Sequence, residues 1–174
     1  MKVTPRLIQV FFIAPFNIMI VIPALILGFS RETDFWGLRG LSFSATRTVT
    51  GILLIGLGLA LTWKSVSRFT EEGDGTPAPW APPRFLVIEG PYRYVRNPMV
   101  EGVFGVLLGE AVLFGSPGLF FWFLFFLAAN LLYTPLVEES RLARRFGESY
   151  RTYRRNVPRW VPRLQPWKGP DENS

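Results

Sequence analysis

Apolar residues in this chain run in long blocks instead of recurring at every second or every third-to-fourth position, and polar, basic, Pro- and Gly-rich stretches separate them. The first block, 7–29, is 23 residues without a charge, enough to cross the ~30 Å hydrocarbon core of a bilayer as a helix. It is too long for the apolar part of a signal peptide, and no small-residue cleavage site follows it. Pro15 and Pro23 predict kinks within it. The second block, 49–66, carries Gly51, Gly56, Gly58 and Ala60, small residues that let a partner helix approach closely, and Lys64 near its end can snorkel to the interface. The third and fourth blocks, 99–114 and 117–137, are joined by Gly115-Ser116-Pro117-Gly118, a turn signal that predicts a helical hairpin. The pattern therefore predicts an all-α integral membrane protein with about four transmembrane helices, helices three and four forming the hairpin.

The third block is unlike the others. It is short, has three glycines and holds Glu101 and Glu110. A carboxylate inside a membrane is costly and marks either a functional site or a pairing within the bundle. The fourth block, with Phe120, Phe121, Trp122, Phe123, Phe125 and Phe126, reads as lipid-facing around much of its girth.

Two polar segments flank the hairpin. Residues 70–98 begin with a Pro- and Gly-rich run that makes no helix, pass through the β-prone Phe85-Leu-Val-Ile88, and turn at Gly90-Pro91 into Tyr92, Arg93, Tyr94 and Arg96. Residues 138–155 read as a cytoplasmic helix continuing the fourth span. Leu142, Phe146, Tyr150 and Tyr153 share one of its faces, Gly147 argues against a straight rod, and Pro158 and Pro162 end it. If such a helix lies on the membrane, its arginines meet anionic lipid. The organisation expected is a two-helix anchor region, 1–69, and a core, 70–174, within one structural domain.

Lys and Arg orient the chain. With four spans, one side holds 2, 5 and 9 of them and the other holds 3 (Arg31, Arg39 and Arg47). The positive-inside rule then puts both termini in the cytoplasm.

Composition narrows the chemistry. The formal charge of +6 suits either nucleic acid or an anionic membrane surface, and the apolar blocks decide for membrane. With no Cys and no His, the chain has no thiolate nucleophile, no imidazole base and no ordinary zinc site. No metal is expected, and catalysis falls to Asp/Glu, Arg, Tyr and Asn or to a cofactor.

The hairpin brings two clusters to one membrane face: Gly90-Pro-Tyr-Arg-Tyr-Val-Arg-Asn-Pro98 entering helix three, and Glu138-Glu139 leaving helix four. One supplies cations and an amide, the other paired carboxylates. Such a pair serves either interfacial anchoring or a pocket where a polar cofactor meets an amphipathic substrate.

The run 90–99, then Gly102, Glu138-Glu139-x-x-Leu142, Phe146-Gly147-Glu148-x-Tyr150-x-x-Tyr153 and Val157-Pro158 resembles the isoprenylcysteine carboxyl methyltransferase family, which is related to membrane phospholipid methyltransferases. The resemblance spans about residues 70–163, and the combination is more specific than any piece of it. It implies S-adenosylmethionine as cofactor and a lipophilic substrate arriving from the bilayer. It places Tyr94, Arg96, Asn97, Pro98, Gly102, Glu138, Glu139, Leu142, Tyr150 and Tyr153 at the cofactor, under a C-terminal helix that closes the pocket, with Arg96 and Glu139 as catalytic residues. The Gly75-Thr-Pro-Ala-Pro-Trp80 stretch resembles bacterial members, which implies a bacterial inner (plasma) membrane. The chemistry fits. A carboxylate takes an ammonium or ribose hydroxyls, an Arg fork takes a carboxylate, and aromatic rings sandwich an adenine. A carboxylate acceptor needs no base, whereas for an amine Glu139, or a water beside it, is the candidate base.

Two positions depart from the family pattern: Asn97 stands where His is frequent, and Val100 where Tyr is common. The methyl acceptor and the oligomeric state stay open. Two other readings compete: a sterol-reductase-like oxidoreductase, whose additional spans are missing here, and a non-enzymatic membrane scaffold.

Overall fold

A computed structural model of the protein describes residues 16–29, 45–71 and 85–169, with 69–71 described by backbone alone. Residues 7–15 of the first apolar block, the 75–80 stretch, and Lys2, Arg6, Arg31, Arg39 and Arg84 lie outside the described residues. Every regular element among those described is helical. A π turn, Asn17–Val21, leads into α1, Ile22–Phe29. The long α2 runs Ala45–Glu71, α3 Pro98–Phe114, and α4 Pro117–Tyr133. A second π turn, Thr134–Glu138, joins α4 without a break to α5, Glu139–Asn156.

Prolines explain both π turns. Pro23 has no N–H, and its ring crowds the carbonyl one turn back; the helix widens just before it. Pro135 lies inside the second π turn. The widened turn at 17–21 leaves the Ile18 carbonyl free, and the Trp122 indole of α4 donates to it at 3.2 Å. Membrane helices tolerate proline through such local adjustments.

Two helices among the described residues are long and apolar enough to cross a membrane, Ala45–Arg68 and the continuous Pro117–Asn156. Only the first half of the second is apolar; from Glu138 onward it is charged. With 17 residues, α3 is about 26 Å long, because Pro98 starts it and Gly115, at φ 60°, ends it in the left-handed conformation. It and Asn17–Phe29 are shorter than the two spans, so length marks two crossings where the apolar blocks predict about four.

The tightest packing joins α2 to α3, across the boundary expected between an anchor region and a core. The two run antiparallel with glycines in register. A Cβ on Gly58 would sit 2.5 Å from the Gly102 carbonyl oxygen, and one on Gly102 2.3 Å from Thr62 Oγ1. Gly51 and Gly109 repeat the arrangement two turns further along. Backbone rests on backbone, as small-residue faces allow in lipid. Gly56, on the far side, meets nothing within 4 Å. The predicted hairpin forms: Ser116 caps α4 by accepting from the Leu119 amide at 3.4 Å, which places α4 beside α3. Met19, Val103, Val106 and Leu107 are buried between the helices, with Trp122, Phe123 and Phe126 packed on them.

The 85–88 stretch is neither helix nor strand. Instead Leu86 and Ile88 lie on a second core, made of Tyr150, Tyr153, Val157 and Trp167, with Leu142 and Phe146 alongside. The apolar face of α5 is thus covered by protein, not by lipid. Gly147, at φ 55° and ψ −128°, breaks the α5 rod between Phe146 and Tyr150.

Candidate functional site

Beyond α5 the chain doubles back. Residues 157–167 run alongside 93–97 as a strap, held by three backbone hydrogen bonds. The Arg96 amide donates to the Pro158 carbonyl at 2.9 Å, the Arg163 amide to the Tyr94 carbonyl at 3.0 Å, and the Trp167 amide to the Arg93 carbonyl at 2.9 Å. Asn97 adds a fourth link, its Nδ2 donating to the Arg159 carbonyl at 3.1 Å. Tyr153, deep in the second core, donates its hydroxyl to the Tyr92 carbonyl at 2.7 Å.

This frame surrounds Glu139. The side chain is 4 % exposed, and guanidiniums meet both its oxygens. Arg96 Nη1 donates to Oε1 at 2.7 Å. Arg159 reaches both oxygens as a fork, Nε at 2.5 Å and Nη2 at 3.1 Å. Arg154 Nε stands 3.5 Å from Oε2. Burial pushes the Glu139 carboxyl up, but the hydrogen bond from Arg159 and the charges of Arg96, Arg159 and Arg154 outweigh it and hold the group below its ordinary value. It is therefore ionised, and its acceptor capacity is largely spent. The same hydrogen bond raises Arg159 above its ordinary value.

Glu138 differs. Its carboxyl receives a long hydrogen bond from Thr134 Oγ1, at 3.5 Å, and no ion pair to it occurs among the described residues. Burial, foremost, raises this group, and the neighbouring Glu139 adds to that. The two acids sit on either side of the helix junction: Glu138 is the last residue of the π turn, over Thr134, and Glu139 is the first of α5, facing the strap. π turns are frequent at functional sites.

Three guanidiniums around one carboxylate leave a surplus of positive charge. Arg96 carries part of it inward: its side chain is 9 % exposed, and its Nε is buried with no hydrogen-bond partner. A buried charged donor left open is expensive, so this atom fits an incoming anionic oxygen. Tyr150, 2 % exposed, accepts from Arg96 Nη1 at 3.4 Å, and burial above all raises its phenol above the ordinary value.

Of the residues singled out from the sequence, Arg96 touches both Glu139 and Tyr150, and Asn97 joins them through Arg159. Tyr153 and Leu142 lie in the core beneath. Tyr94 contributes its carbonyl to the strap, and the residue is 38 % exposed. Pro98 is fully buried at the start of α3. Gly102 faces Thr62 and Gly58 at the α2–α3 crossing. Arg93 pairs with Glu89 at 2.6 Å. Arg159 escaped the sequence reading, although Val157-Pro158 immediately before it belonged to the pattern. Its signal was physical: a buried Glu beside one arginine calls for further cations, and a proline that ends α5 sends the next residues back toward it.

A family model described as phospholipid methyltransferase matches residues 46–149, more than half of the chain, and the chain belongs to this family of membrane methyltransferases. Among curated proteins it is similar to the protein-S-isoprenylcysteine O-methyltransferase of Schizosaccharomyces pombe (strain 972 / ATCC 24843), 39 % identical over 80 residues, which are 44 % of this chain and 33 % of that relative. The matched stretch thus spans a third of the relative's length. No solved structure matches the chain.

Proposed function

We propose that this protein is an S-adenosylmethionine-dependent methyltransferase of the cytoplasmic membrane that methylates a small lipophilic carboxylate. The observation that carries the reading is the orphaned, buried Arg96 Nε beside the sealed Glu139 and the open Glu138, in a chain whose family is methyltransferases. These groups fit the cofactor: Glu138 has acceptor capacity for its ammonium or a ribose hydroxyl, and Arg96 has a donor for a carboxylate. When bound, S-adenosylmethionine supplies a methyl group on a cationic sulfur, open to in-line attack.

The residues of the chain then bind, orient and exclude water. Glu139 does not act as a base, since three cations hold its lone pairs. It fixes the arginines instead. A carboxylate nucleophile needs no proton removed, and the arginine surplus attracts it, so catalysis is largely positioning. Phe104 packs on Phe123, Phe126 and Trp160, with ring centroids 5.8 to 6.5 Å apart, and these rings give the site an apolar flank beside α3 and α4 for a substrate from the bilayer. The family description favours a second reading, a phospholipid amine, in which Glu138 accepts the proton.

Titration calorimetry of the purified full chain with S-adenosylhomocysteine, in detergent and in nanodiscs, tests the reading. Saturable binding lost in Arg96→Ala supports it. Folded protein that binds none in either medium overturns it, and nicotinamide cofactors are then titrated for the reductase alternative.

A further inference from the structure

Arg159 lies beyond the family-matched segment, which ends at residue 149, and it is the best-placed cation in the site. We infer that Arg159 is a positioning residue of the methyltransferase site, and that the strap 157–167 is the site's third element beside the 90–98 run and the Glu138-Glu139 pair. The inference rests on the cofactor reading above.

Both sides of Arg159 are fixed independently. Its backbone is registered against the first element, through the Pro158 carbonyl to the Arg96 amide and its own carbonyl to Asn97 Nδ2. Its side chain is registered against the second, through the fork on Glu139. It is therefore one residue in direct hydrogen-bond contact with both clusters. A planar fork fixes the carboxylate plane, which an ammonium, as a point charge, does not. Fixing that plane aims Glu139 Oε1 at Arg96 Nη1, and so fixes which donor of Arg96 remains open. Remove the fork, and Arg96 is free to turn its remaining donors onto Glu139, closing the atom that would meet a ligand. Arg159 thus acts through Glu139 and Arg96 and need not touch the ligand.

The test compares Arg159→Met, which keeps length and packing but no charge, with Arg159→Lys, which keeps charge but no fork. Arg151→Ala is the control: that exposed side chain pairs with Glu148 and does not reach Glu139. The readouts are S-adenosylhomocysteine affinity and the melting temperature of the ligand-free full chain. Wild type and Arg151→Ala should bind within about twofold of each other, and Arg159→Lys and Arg159→Met should both be weaker by at least about tenfold, which is ~1.4 kcal/mol. Arg159→Lys, which keeps a cation beside Glu139, should melt above Arg159→Met, so a loss of affinity that the two share does not follow stability. Wild-type affinity in Arg159→Met or in Arg159→Lys overturns the assignment, as does a loss in Arg151→Ala matching that in Arg159→Met. If the wild type binds no S-adenosylhomocysteine, the cofactor reading fails, and the assignment fails with it.

Discussion

Neutralising the two adjacent acids should separate their roles. In Glu139→Gln the three arginines keep their charges and lose the carboxylate at their centre. Breaking a buried ion pair by removing one partner costs about 3–5 kcal/mol. Arg154 is 54 % and Arg159 29 % exposed, so water compensates part of the loss, and a value near the lower end, about 3 kcal/mol, is expected. For a chain of this size that lowers the melting temperature by roughly 6–12 °C. In Glu138→Gln one long hydrogen bond at 3.5 Å is altered, and the amide still accepts it. The melting temperature should stay within about 2 °C of wild type, since the weak contact involves well under 1 kcal/mol. Affinity for S-adenosylhomocysteine should behave differently. If Glu138 receives the ammonium or a ribose hydroxyl, its loss removes a charge-assisted hydrogen bond of about 1.5–3 kcal/mol, or roughly 10- to 150-fold in binding. Differential scanning fluorimetry of ligand-free protein and calorimetry with the ligand read the two quantities separately. Wild-type affinity in Glu138→Gln, or wild-type melting in Glu139→Gln, refutes the division of labour.

Two further outcomes concern the scaffold. Gly58→Ala and Gly102→Ala each force a methyl to within 2.6 Å of backbone oxygen across the α2–α3 crossing; the helices must part by about 1 Å, with an overpacking cost of about 1–3 kcal/mol, whereas Gly56→Ala, facing open space, should be neutral or stabilising by up to ~1 kcal/mol through helix propensity. Melting curves that rank Gly56→Ala with the other two would disprove the crossing. Gly147→Ala should destabilise by about 1–3 kcal/mol through backbone strain alone, because its φ of 55° disfavours a side chain even though nothing lies within 4 Å; the exposed Ser149→Ala in the same helix should melt as wild type, and equal melting of both would show that the kink is not needed.

The sequence made the helices and the hairpin legible because apolar block length and a Gly-Ser-Pro-Gly turn are strong, local signals. It also brought Arg96 and Glu139 together, since a hairpin must return to the face it left. Three features were less accessible. Gly102 sits within a motif that resembles a cofactor element, but its lost side chain is used by Thr62 and Gly58, a contact set by another helix 40 residues earlier. The face of α5 looked ready for a membrane surface, and the residues that cover it, Leu86, Ile88 and Trp167, come from segments with no helical period. The difference between Glu138 and Glu139 lies in the partners each meets, Thr134 for one and three arginines for the other, and adjacent letters carry no record of partners. Arg159 belongs with these, as its partner lies 20 residues away around the end of a helix.

The arrangement also fixes what a topology experiment must find. The 93–97 run, Glu139 and the strap sit at one end of the α3–α4 pair, and the Gly115-Ser116 turn caps the other end. Between them lies a 17-residue α3, about 26 Å at 1.5 Å per residue, close to but short of the ~30 Å hydrocarbon core. If α3 and α4 both cross the bilayer, the site and the turn emerge on opposite sides, and the basic strap lies in the cytoplasm by the positive-inside rule. The chain contains no Cys, so single cysteines report without background. Lys168→Cys, at an exposed position just past the strap, should react with a membrane-impermeant maleimide only from the cytoplasmic side. Phe114→Cys, at a position 51 % exposed beside the turn, should react only from the other. Reaction of both from the same side would mean that α3 and α4 enter and leave the bilayer on one face as a re-entrant pair. The apolar flank beside α3 and α4 would then face one leaflet alone, and the substrate would have to come from it.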